Sequence, residues 1–563
     1  MSPPMSNGSA PVGGYPLRPL GRCVPLVTAA EGFPAMERLI ESATAEIAMG
    51  FRVFDPETRL RASTIGQSTA GQTWADLLAA KHREGVAIRI ALSDFDALGA
   101  PALHEATWRS LRRLATLATP GGAPFEVMAA LHPARAGPLV GRALWPAAAL
   151  ALERQRRALN ALDPKTRRAR FLDRPGLWRH LRLRANGRLV WRMGVAARLH
   201  PVTHHHKVLV VDGARAVLGG LDIDERRFDD PGHRRPAEET WHDVSVLVDG
   251  PVAADIADFL AARWNASQSA VARRLKRLHA VAPAGAAPLP PVPTLWQRSS
   301  LAPAHATDSG IRLLRTLSSH RRAGLGPRVR VREFEHAYST AIARAETLIY
   351  IETQFFRSQA IAEALAEAAA RRPGLGLILV LPAVPEAVAF EGKTGLAERL
   401  GAHLEATCLE RIAQAFGARC ALLSPVRPVP VRPVPGPAQE ASLHGAEIVY
   451  VHAKLMIVDR TLAIVGSANL NGRSLRWDTE AGVLVEDAPA VRRLEQAMLA
   501  HWHAGGQALG LELGAGAAAR WRALAEATAA QPPAARQGFL VPYDVSPARA
   551  LGHPVPGIPD ELV

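Results

Sequence analysis

Two segments of the chain repeat one arrangement of histidine, lysine and aspartate. In both segments the lysine lies two residues after the histidine, the aspartate lies seven residues after it, and a glycine-rich turn begins fourteen residues after it. The repeated residues are His205, Lys207 and Asp212 in the first copy and His452, Lys454 and Asp459 in the second. Two chance occurrences with matching turns would be very rare, so we interpret the segments as two halves of one catalytic site.

Imidazole and ammonium groups together are suited to reactions at phosphorus. Histidine has an unperturbed pKa near physiological pH, so one imidazole can attack phosphorus to form a phosphohistidine while the other protonates the departing alcohol and then activates water. Lys207 and Lys454 would neutralise the non-bridging oxygens. Because two ammonium groups supply this charge, the pattern predicts phosphodiester cleavage with no metal and no other cofactor.

The choice of lysine at both motif positions is informative in its own right. The sequence has six lysines against 61 arginines, yet both motif copies carry lysine. An ammonium is a compact cation with three rotatable donors, whereas a guanidinium is a planar fork. The retained lysines therefore indicate a site that needs the smaller cation.

The turns after the motifs carry further candidate phosphate-binding groups. We predict that the substrate is bound by Gly220, Asp222, Ser467 and Asn469. In the first half the backbone amides of Gly219 and Gly220 would serve, and in the second half the side chains of Ser467 and Asn469. This difference between the halves favours different roles for the two histidines.

Carboxylates are expected behind the imidazoles, because an oriented nucleophile or base needs a partner that fixes its tautomer. Asp243 and Glu480 are the candidates, since each lies beyond a turn and precedes a strand-like run. Asp212 and Asp459 complete the catalytic motifs. We expect them to bond the local backbone instead of touching the substrate.

Metal-binding patterns are weak in this sequence. His204, His205 and His206 are consecutive, and neighbouring strand residues point to opposite faces, so three of them cannot chelate one ion from a regular strand. The three cysteines form no CxxC spacing and are expected to be reduced structural thiols. We therefore predict no metal site.

Helix and strand patterns alternate along the chain, which predicts an α/β fold. A helical pattern near 31–45 and a strand at 46–54 are followed by a helix at 73–85 and a strand at 86–95. The second part repeats this order with a strand at 347–356, a helix at 358–372 and a strand at 375–382. The predicted divisions are a flexible N-terminal arm (1–30), a first half (31–280), a Pro/Ala linker (281–307), a second half (308–530) and a C-terminal tail (531–563). The proline-dense segment 424–440 is predicted to be an extended surface spacer.

The chain is strongly basic, with a formal net charge of +15, which favours polyanions such as nucleic acid or an anionic membrane surface. Segment 156–184 is its most basic part and predicts solvated helices or, alternatively, an anion-facing surface. The N-terminus lacks the pattern of a signal peptide, and no run of 18 apolar residues appears. The expected location is cytoplasmic or peripheral to a membrane, with export without a cleavable leader left open.

The motifs and their surroundings resemble the phospholipase D superfamily, and within it the eukaryotic-type catalytic core. The resembling blocks are HHHKVLVVD (204–212) with GGLD, TWHDVSVLVDGPVAADIADFLAARWN (240–265), LIYIETQFF (348–356), and YVHAKLMIVD (450–459) with IVGSANLNGRS (464–474). The likeness extends over roughly 32–100, 195–270 and 335–500. It implies two α/β/α sandwich halves related by a pseudo-two-fold axis, with the site between them.

Roles for individual residues follow from the resemblance. It implies that His205 is the nucleophile, that His452 is the general acid and base, and that both motif lysines and Asn469 bind phosphate. The sequence departs from the family pattern at His206, where glutamine is more usual, at Thr353, where asparagine is common, and at Arg460, where a second aspartate is common. None of these changes removes a catalytic group.

Four functions are compatible with the sequence to different degrees. The first is a phospholipase D that releases phosphatidic acid, or installs a new head group when an alcohol replaces water. A superfamily nuclease is favoured by the charge, and a cardiolipin synthase-like phosphatidyltransferase is also possible. A non-catalytic module that binds anionic membranes predicts a damaged motif, whereas both motifs are intact. We expect a monomer with pseudo-dimeric halves and a phospholipid surface as partner, with nucleic acid less favoured.

Overall fold

The computed structural model of the protein describes residues 14–62, 71–135, 137–192, 199–298, 307–321, 326–431, 442–503, 511–555 and 559–563. The first-half strands are β1 (Cys23–Val27), β2 (Glu46–Phe51), β3 (Ala87–Ser93), β4 (Phe125–Ala130), β5 (Leu181–Leu183), β6 (Leu189–Trp191), β7 (Val208–Val211), β8 (Arg215–Gly219) and β9 (Val244–Asp249). The helices are α1 (Thr28–Glu41), α2 (Trp74–Arg83), α3 (Pro101–Ala115), α4 (Pro138–Ala143), α5 (Trp145–Ala161), α6 (Pro164–Leu172) and α7 (Pro251–His279).

The second half contains a larger sheet. Its strands are β10 (Gly310–Ser319), β11 (Arg328–Arg332), β12 (Leu348–Thr353), β13 (Gly376–Val380), β14 (Cys420–Pro430), β15 (Ser442–Leu443), β16 (Ala446–Ile448), β17 (Lys454–Val458), β18 (Leu462–Gly466), β19 (Glu480–Glu486) and β20 (Leu540–Pro542). Its helices are α8 (Glu333–Arg344), α9 (Gln359–Arg371), α10 (Glu386–Ala389), α11 (Leu396–Phe416), α12 (Gly472–Arg476), α13 (Ala488–Trp502), α14 (Ala517–Ala530) and α15 (Ser546–Leu551).

The two main sheets share one topology. The strand order β1-β9-β8-β7-β2-β3-β4 of the first sheet recurs in the second as β10-β19-β18-β17-β12-β13-β14. In both sheets three parallel strands adjoin the antiparallel hairpin that follows a motif histidine, β7-β8 or β17-β18. The predicted α/β fold with two related halves is confirmed.

Burial on both faces explains why the central strands are almost continuously apolar. Every residue of β7 and of β17 is buried, including the lysine that opens β17. In β12, Ile349 and Ile351 enter the core formed with α8, α9 and α11, whereas Leu348 and Tyr350 enter the core on the other face. Each sheet is therefore a middle layer that can hold polar motif side chains only at its strand ends.

Segments from the two halves cross each other symmetrically. His204 forms a β-bridge with Thr479, just before β19, and Val451 forms the equivalent bridge with His242, just before β9. The backbone amide of His205 donates to Thr479 O at 2.8 Å, and that of His452 donates to His242 O at 2.7 Å. This reciprocal crossing is the pseudo-two-fold relation that the resemblance implies.

The prediction of a flexible N-terminal arm is wrong for residues 14–30. Cys23–Val27 is an edge strand paired with Val244–Asp249, and α1 begins directly after it. Arg18 donates two hydrogen bonds to Asp255 at 2.8 and 2.9 Å and pairs with Ile311 of the second half. Sheet pairing and a bidentate ion pair hold this segment, and residues 1–13 lie outside the described residues.

The predicted linker, spacer and tail are also bound to the rest of the fold where the structure describes them. Linker residues 293–296 pack along α7, where Trp264 donates to Thr294 O, and Trp296 is buried; residues 299–306 lie outside the described part of the chain. Residues 424–430 belong to β14 and are not a spacer, because β16 and β20 pair with this strand; 432–441 lie outside the described residues. The tail supplies β20 to the second sheet. Proline and glycine content alone therefore overstated the loose parts of the chain.

The remaining predictions concern cysteines and membrane spans. Cys23, Cys408 and Cys420 are buried free thiols, as predicted. Among the described residues, no helix combines the length and the apolar character needed to cross a lipid bilayer.

Candidate active site

The two motif histidines line one cavity of about 330 Å³ between the halves. Each histidine lies in the extended segment just before its hairpin, and the lysine of the second motif is the first residue of β17. Both lysines are 1% exposed, and both histidines are less than 10% exposed. The sequence repeat thus brings two imidazoles and two buried ammonium groups together.

The tautomer of His205 is set by two acceptors. Its Nδ1 lies 3.0 Å from Glu480 Oε2 and 3.1 Å from the carbonyl oxygen of Ser467. Because a carbonyl oxygen can only accept, Nδ1 carries the proton and Nε2 keeps its lone pair. Lys207 Nζ donates to that Nε2 at 3.2 Å. His205 is therefore oriented with a nucleophilic nitrogen toward the cationic side of the site.

His452 is held in an equivalent way by the other half. Its Nδ1 lies 2.6 Å from Asp243 Oδ2, and its ring packs on Trp241 with centroids 4.6 Å apart. The two predicted carboxylates are thus both behind an imidazole, but each serves the histidine of the opposite half. This crossed pairing means that neither half can orient its own histidine.

Burial shifts the pKa values of the ionisable side chains in the site. Burial, more than any neighbouring charge, lowers the pKa of His205 and His452 well below their ordinary values. Burial raises the pKa of Glu480 to about 8 and that of Asp243 to about 6, and it lowers the pKa of Lys454 to about 7. Since desolvation disfavours every charged form, the imidazoles of the free site are neutral near pH 7.

The two motif lysines have different surroundings. Lys207 Nζ donates to His205 O at 2.7 Å and lies 3.8 Å from Asp222 Oδ2. Lys454 Nζ donates to Gln354 Oε1 at 3.3 Å and to the carbonyl oxygen of His452. The first lysine therefore has a carboxylate beside it, whereas the second has neutral oxygens as hydrogen-bond partners.

Of the four predicted substrate-binding residues, only Asn469 lines the cavity. Its Oδ1 is buried and has no hydrogen-bond partner among the described residues, so this side chain can turn toward a ligand. Asn469 is also only 4% exposed, so its amide group is largely shielded from bulk water.

The prediction is wrong for the other three residues. The Gly220 amide donates to Val244 O, and a β-carbon at Gly220 would lie 2.2 Å from Asp243 Oδ1, so the glycine makes room for that carboxylate. Asp222 accepts from Val53 N, and the Ser467 hydroxyl donates to Glu480. These three residues contact the buried carboxylates, Lys207 and the backbone, and they are not among the residues that line the cavity.

The motif aspartates lie away from the cavity. Asp212 accepts from the backbone amides of Thr44, Ala45 and Glu46 and from the Thr44 hydroxyl, at 2.8 to 3.0 Å. Asp459 accepts from three successive amides, Glu346 to Leu348, at 2.7 to 2.9 Å. Their inclusion in the catalytic set is wrong, whereas the expected bonding to local backbone is confirmed. Each aspartate ties the end of a motif hairpin to the start of β2 or β12.

We expect Asp212→Ala to lower the free energy of unfolding by about 2–3 kcal/mol, because several amides lose a charged acceptor. Turnover per folded molecule should stay near the wild-type value. Asp212→Asn is the matched control, since asparagine keeps one acceptor oxygen and tolerates the left-handed backbone at this position, φ 53°. Urea denaturation gives the free energy of unfolding, and an activity assay gives the turnover. A variant that loses turnover while its free energy of unfolding is unchanged would contradict a scaffold role.

Several cavity residues were not predicted from the sequence. They are the cations Arg52, Arg227, Arg357 and Arg473, the amides Gln354 and Asn471, and Leu562 and Val563 of the tail. Arg227 stacks over Trp241 at 3.7 Å, and Arg473 donates to Asp478 at 2.9 Å. With 61 arginines in the chain, no spacing marked these four, and only proximity to a motif block could have indicated Arg473.

The neighbouring histidines of the HHHK run face away from the cavity. His204 and His206 line a separate, smaller pocket against α7, together with Arg263. This alternation is what the sequence predicts for consecutive residues of an extended segment.

Family models match the middle and the second half of the chain. A model described as phospholipase D matches residues 234–364, and one described as cardiolipin synthase, phospholipase D-like domain, matches residues 338–502. These ranges include Asp243, the second motif and Glu480. The first motif precedes both of them.

The curated relatives that the chain resembles are also phospholipases D. Phospholipase D1 of Schizosaccharomyces pombe is 26% identical over 357 residues, which cover 50% of this chain and 25% of the relative. Phospholipase D1 of Rattus norvegicus is 27% identical over 288 residues, which cover 45% of this chain and 24% of the relative. The chain thus spans about a quarter of the length of these relatives.

Among solved structures, a phosphatidylserine synthase of Haemophilus influenzae shares 13% identity, with 86% of this chain and 88% of that chain covered and a TM-score of 0.45. The segments that the family models match include one complete motif and the carboxylates that orient both histidines. The family models and the curated relatives together support the phospholipase D superfamily as the family of this chain.

Proposed function

We propose that this protein is a phospholipase D that removes the head group from glycerophospholipids through a phosphohistidine on His205. The observation that carries the proposal is the crossed pair of oriented imidazoles, each fixed by a carboxylate of the other half and both lining one cation-rich cavity. Such a pair supplies a nucleophile and a separate proton carrier, which a two-step displacement at phosphorus requires.

In the first step His205 Nε2 attacks phosphorus while the bond to the head-group oxygen breaks. His452 gives a proton to the departing alkoxide. An anionic phosphodiester in the cavity favours the protonated form of His452, because an opposite charge nearby raises the pKa of an imidazole. Asp243 then has a cationic partner, which offsets its own burial.

In the second step His452 takes a proton from water, and the water oxygen attacks phosphorus as the P–N bond breaks. The products are phosphatidic acid and free His205. An alcohol in place of water would give a new phosphatidyl ester by the same route, which is transphosphatidylation. Lys207, Lys454 and Asn469 would hold the non-bridging oxygens in both steps.

A nuclease is the second candidate, because the formal net charge is +15 and four arginines line the cavity. A direct comparison separates the two functions. The purified chain is incubated with phosphatidylcholine or phosphatidylethanolamine vesicles, with and without ethanol, and in parallel with single- and double-stranded DNA. Released head group, or phosphatidylethanol in the presence of ethanol, is the expected result.

The test variants are His205→Ala and His452→Ala, both of which should lose head-group release. His204→Ala is the matched control, because this neighbouring buried histidine faces the α7 pocket and should keep turnover. If the protein cleaves DNA but not lipid, and both histidine variants lose the DNA cleavage, the protein is a nuclease and the phospholipase D proposal is wrong.

A further inference from the structure

Three buried histidines meet behind the active site. His233, His242 and His501 each offer a ring nitrogen, and these atoms all lie within 4.8 Å of one another. The Nε2 atoms of His233 and His501 are 3.1 Å apart. His233 and His242 are 0% exposed and His501 is 8% exposed, so the cluster is enclosed by protein. None of the three is among the residues that line the catalytic cavity.

Two of these imidazoles are held from behind by carboxylates. His233 Nδ1 lies 2.7 Å from Asp229 Oδ2, and His242 Nε2 lies 2.6 Å from Glu352 Oε2. Trp502 Nε1 donates to the other oxygen of Glu352 at 2.7 Å, which fixes that carboxylate. A carboxylate that accepts from one imidazole nitrogen leaves the other nitrogen unprotonated and aimed inward. This carboxylate–histidine arrangement is the usual outer support of a metal ligand.

The hydrogen bonding of the cluster is incomplete without a further partner. His242 Nδ1 is buried and has no hydrogen-bond partner among the described residues. Its Nε2 is taken by Glu352, so Nδ1 carries a buried lone pair. A buried acceptor without a donor costs about 1–3 kcal/mol. A cation at the centre of the three rings would satisfy it.

We propose that His233, His242 and His501 supply three of the four ligands of one divalent transition-metal ion, with zinc as the fitting metal. Zinc accepts imidazole nitrogen at about 2.0–2.1 Å, so the nitrogens of a tetrahedral site lie roughly 3.3 Å apart. The Nε2 atoms of His233 and His501 already have about this separation. Small rotations of the imidazole rings would bring the remaining nitrogen pairs to it. Neutral imidazoles suit zinc, cobalt, nickel and copper, whereas magnesium and calcium prefer oxygen.

The ion would join the two halves of the protein. His233 and His242 come from the first half, whereas His501 lies near the end of α13 and Glu352 lies in β12 of the second half. His242 is followed directly by Asp243, whose carboxylate orients His452. The metal would therefore stabilise the crossing that builds the active site without entering the cavity.

The test starts from the tag-free full chain. It is exposed to Zn²⁺, dialysed and examined for bound metal by plasma mass spectrometry, and the thermal midpoint is measured before and after removal of metal by a chelator. One zinc per chain is expected, with a midpoint that falls on removal and recovers when Zn²⁺ returns. Cobalt in place of zinc should give the visible bands of an imidazole-ligated ion. A folded chain with substoichiometric zinc would overturn the proposal.

Variants locate the site independently of activity. His501→Gln should lose the bound zinc, and its thermal midpoint should no longer respond to the metal. His104→Gln is the matched control, because His104 is also buried and paired with a carboxylate, Asp94, at 2.7 Å, but lies outside the cluster. It should keep one zinc. Retention of stoichiometric zinc in both His501→Gln and His242→Gln would show that the ion binds elsewhere and would reject this site.

Discussion

His205→Ala is expected to lower kcat/KM for phospholipid cleavage by roughly 10⁴-fold or more, because the covalent step has no other nucleophile. His205 is the imidazole whose Nδ1 proton is fixed by two acceptors, Glu480 and a carbonyl oxygen. Its Nε2 is therefore available for attack on phosphorus. The measurement is head-group release from vesicles under initial-rate conditions, with a mass spectrum of the quenched wild-type protein to detect a phosphatidyl adduct.

His452→Ala separates the two histidine roles. With phosphatidyl-4-nitrophenol, whose leaving group needs no proton, this variant should release one nitrophenolate per site in a burst and then stop. The burst follows because His205 still attacks, and the arrest follows because no base activates water. The adduct should accumulate on His205.

The opposite pattern would contradict the assignment of roles. A burst in His205→Ala and none in His452→Ala would make His452 the nucleophile. His204→Ala serves again as the control for loss of a buried imidazole at the same crossing. Steady turnover of the nitrophenyl substrate by His452→Ala would mean that another group activates water.

The motif spacing predicted the placement of the motif side chains well because it is local. A histidine and a lysine two residues apart on extended backbone share a face, and this holds before the rest of the fold is known. Glu480 and Asp243 were also predicted as partners of the imidazoles. Their crossed pairing was not predicted, because it depends on how segments 275 and 209 residues apart pass each other.

Errors arose where a residue type was given its most familiar use. Gly220 suggested a phosphate-binding turn, but its missing side chain accommodates the Asp243 carboxylate. Asp222 and Ser467 are polar and near the motifs, yet their partners are a buried amide and Glu480. Such partners come from tertiary packing and leave no short pattern in the chain.

The three-histidine cluster is the clearest case of information that only the fold supplies. The sequence offered HHHK as the metal candidate and the prediction set it aside; its side chains do alternate between faces. His233 and His242 come together with His501 only when the halves pack. No spacing rule links residues so far apart, so metal ligation was missed at this position.

Lys454→Arg is expected to lose roughly 10²–10³-fold in kcat although the positive charge is kept. Lys454 is 1% exposed and sits between Gln354 and the backbone of His452, where a guanidinium fork is larger than the ammonium it replaces. Phosphate oxygens would then meet a displaced cation. Near-normal turnover in this variant would contradict the inference from lysine retention.

The pH dependence gives this variant a second readout. Burial lowers the pKa of Lys454 to about 7, so the ammonium is present below that pH and is lost as pH rises through it. Wild-type kcat/KM should therefore fall on the alkaline side of about 7, since this ratio reports the free enzyme. Arginine stays charged throughout, so the residual activity of Lys454→Arg should lack this decline. An unchanged alkaline limb in the variant would assign the titration to another group, such as Glu480, whose pKa burial raises to about 8.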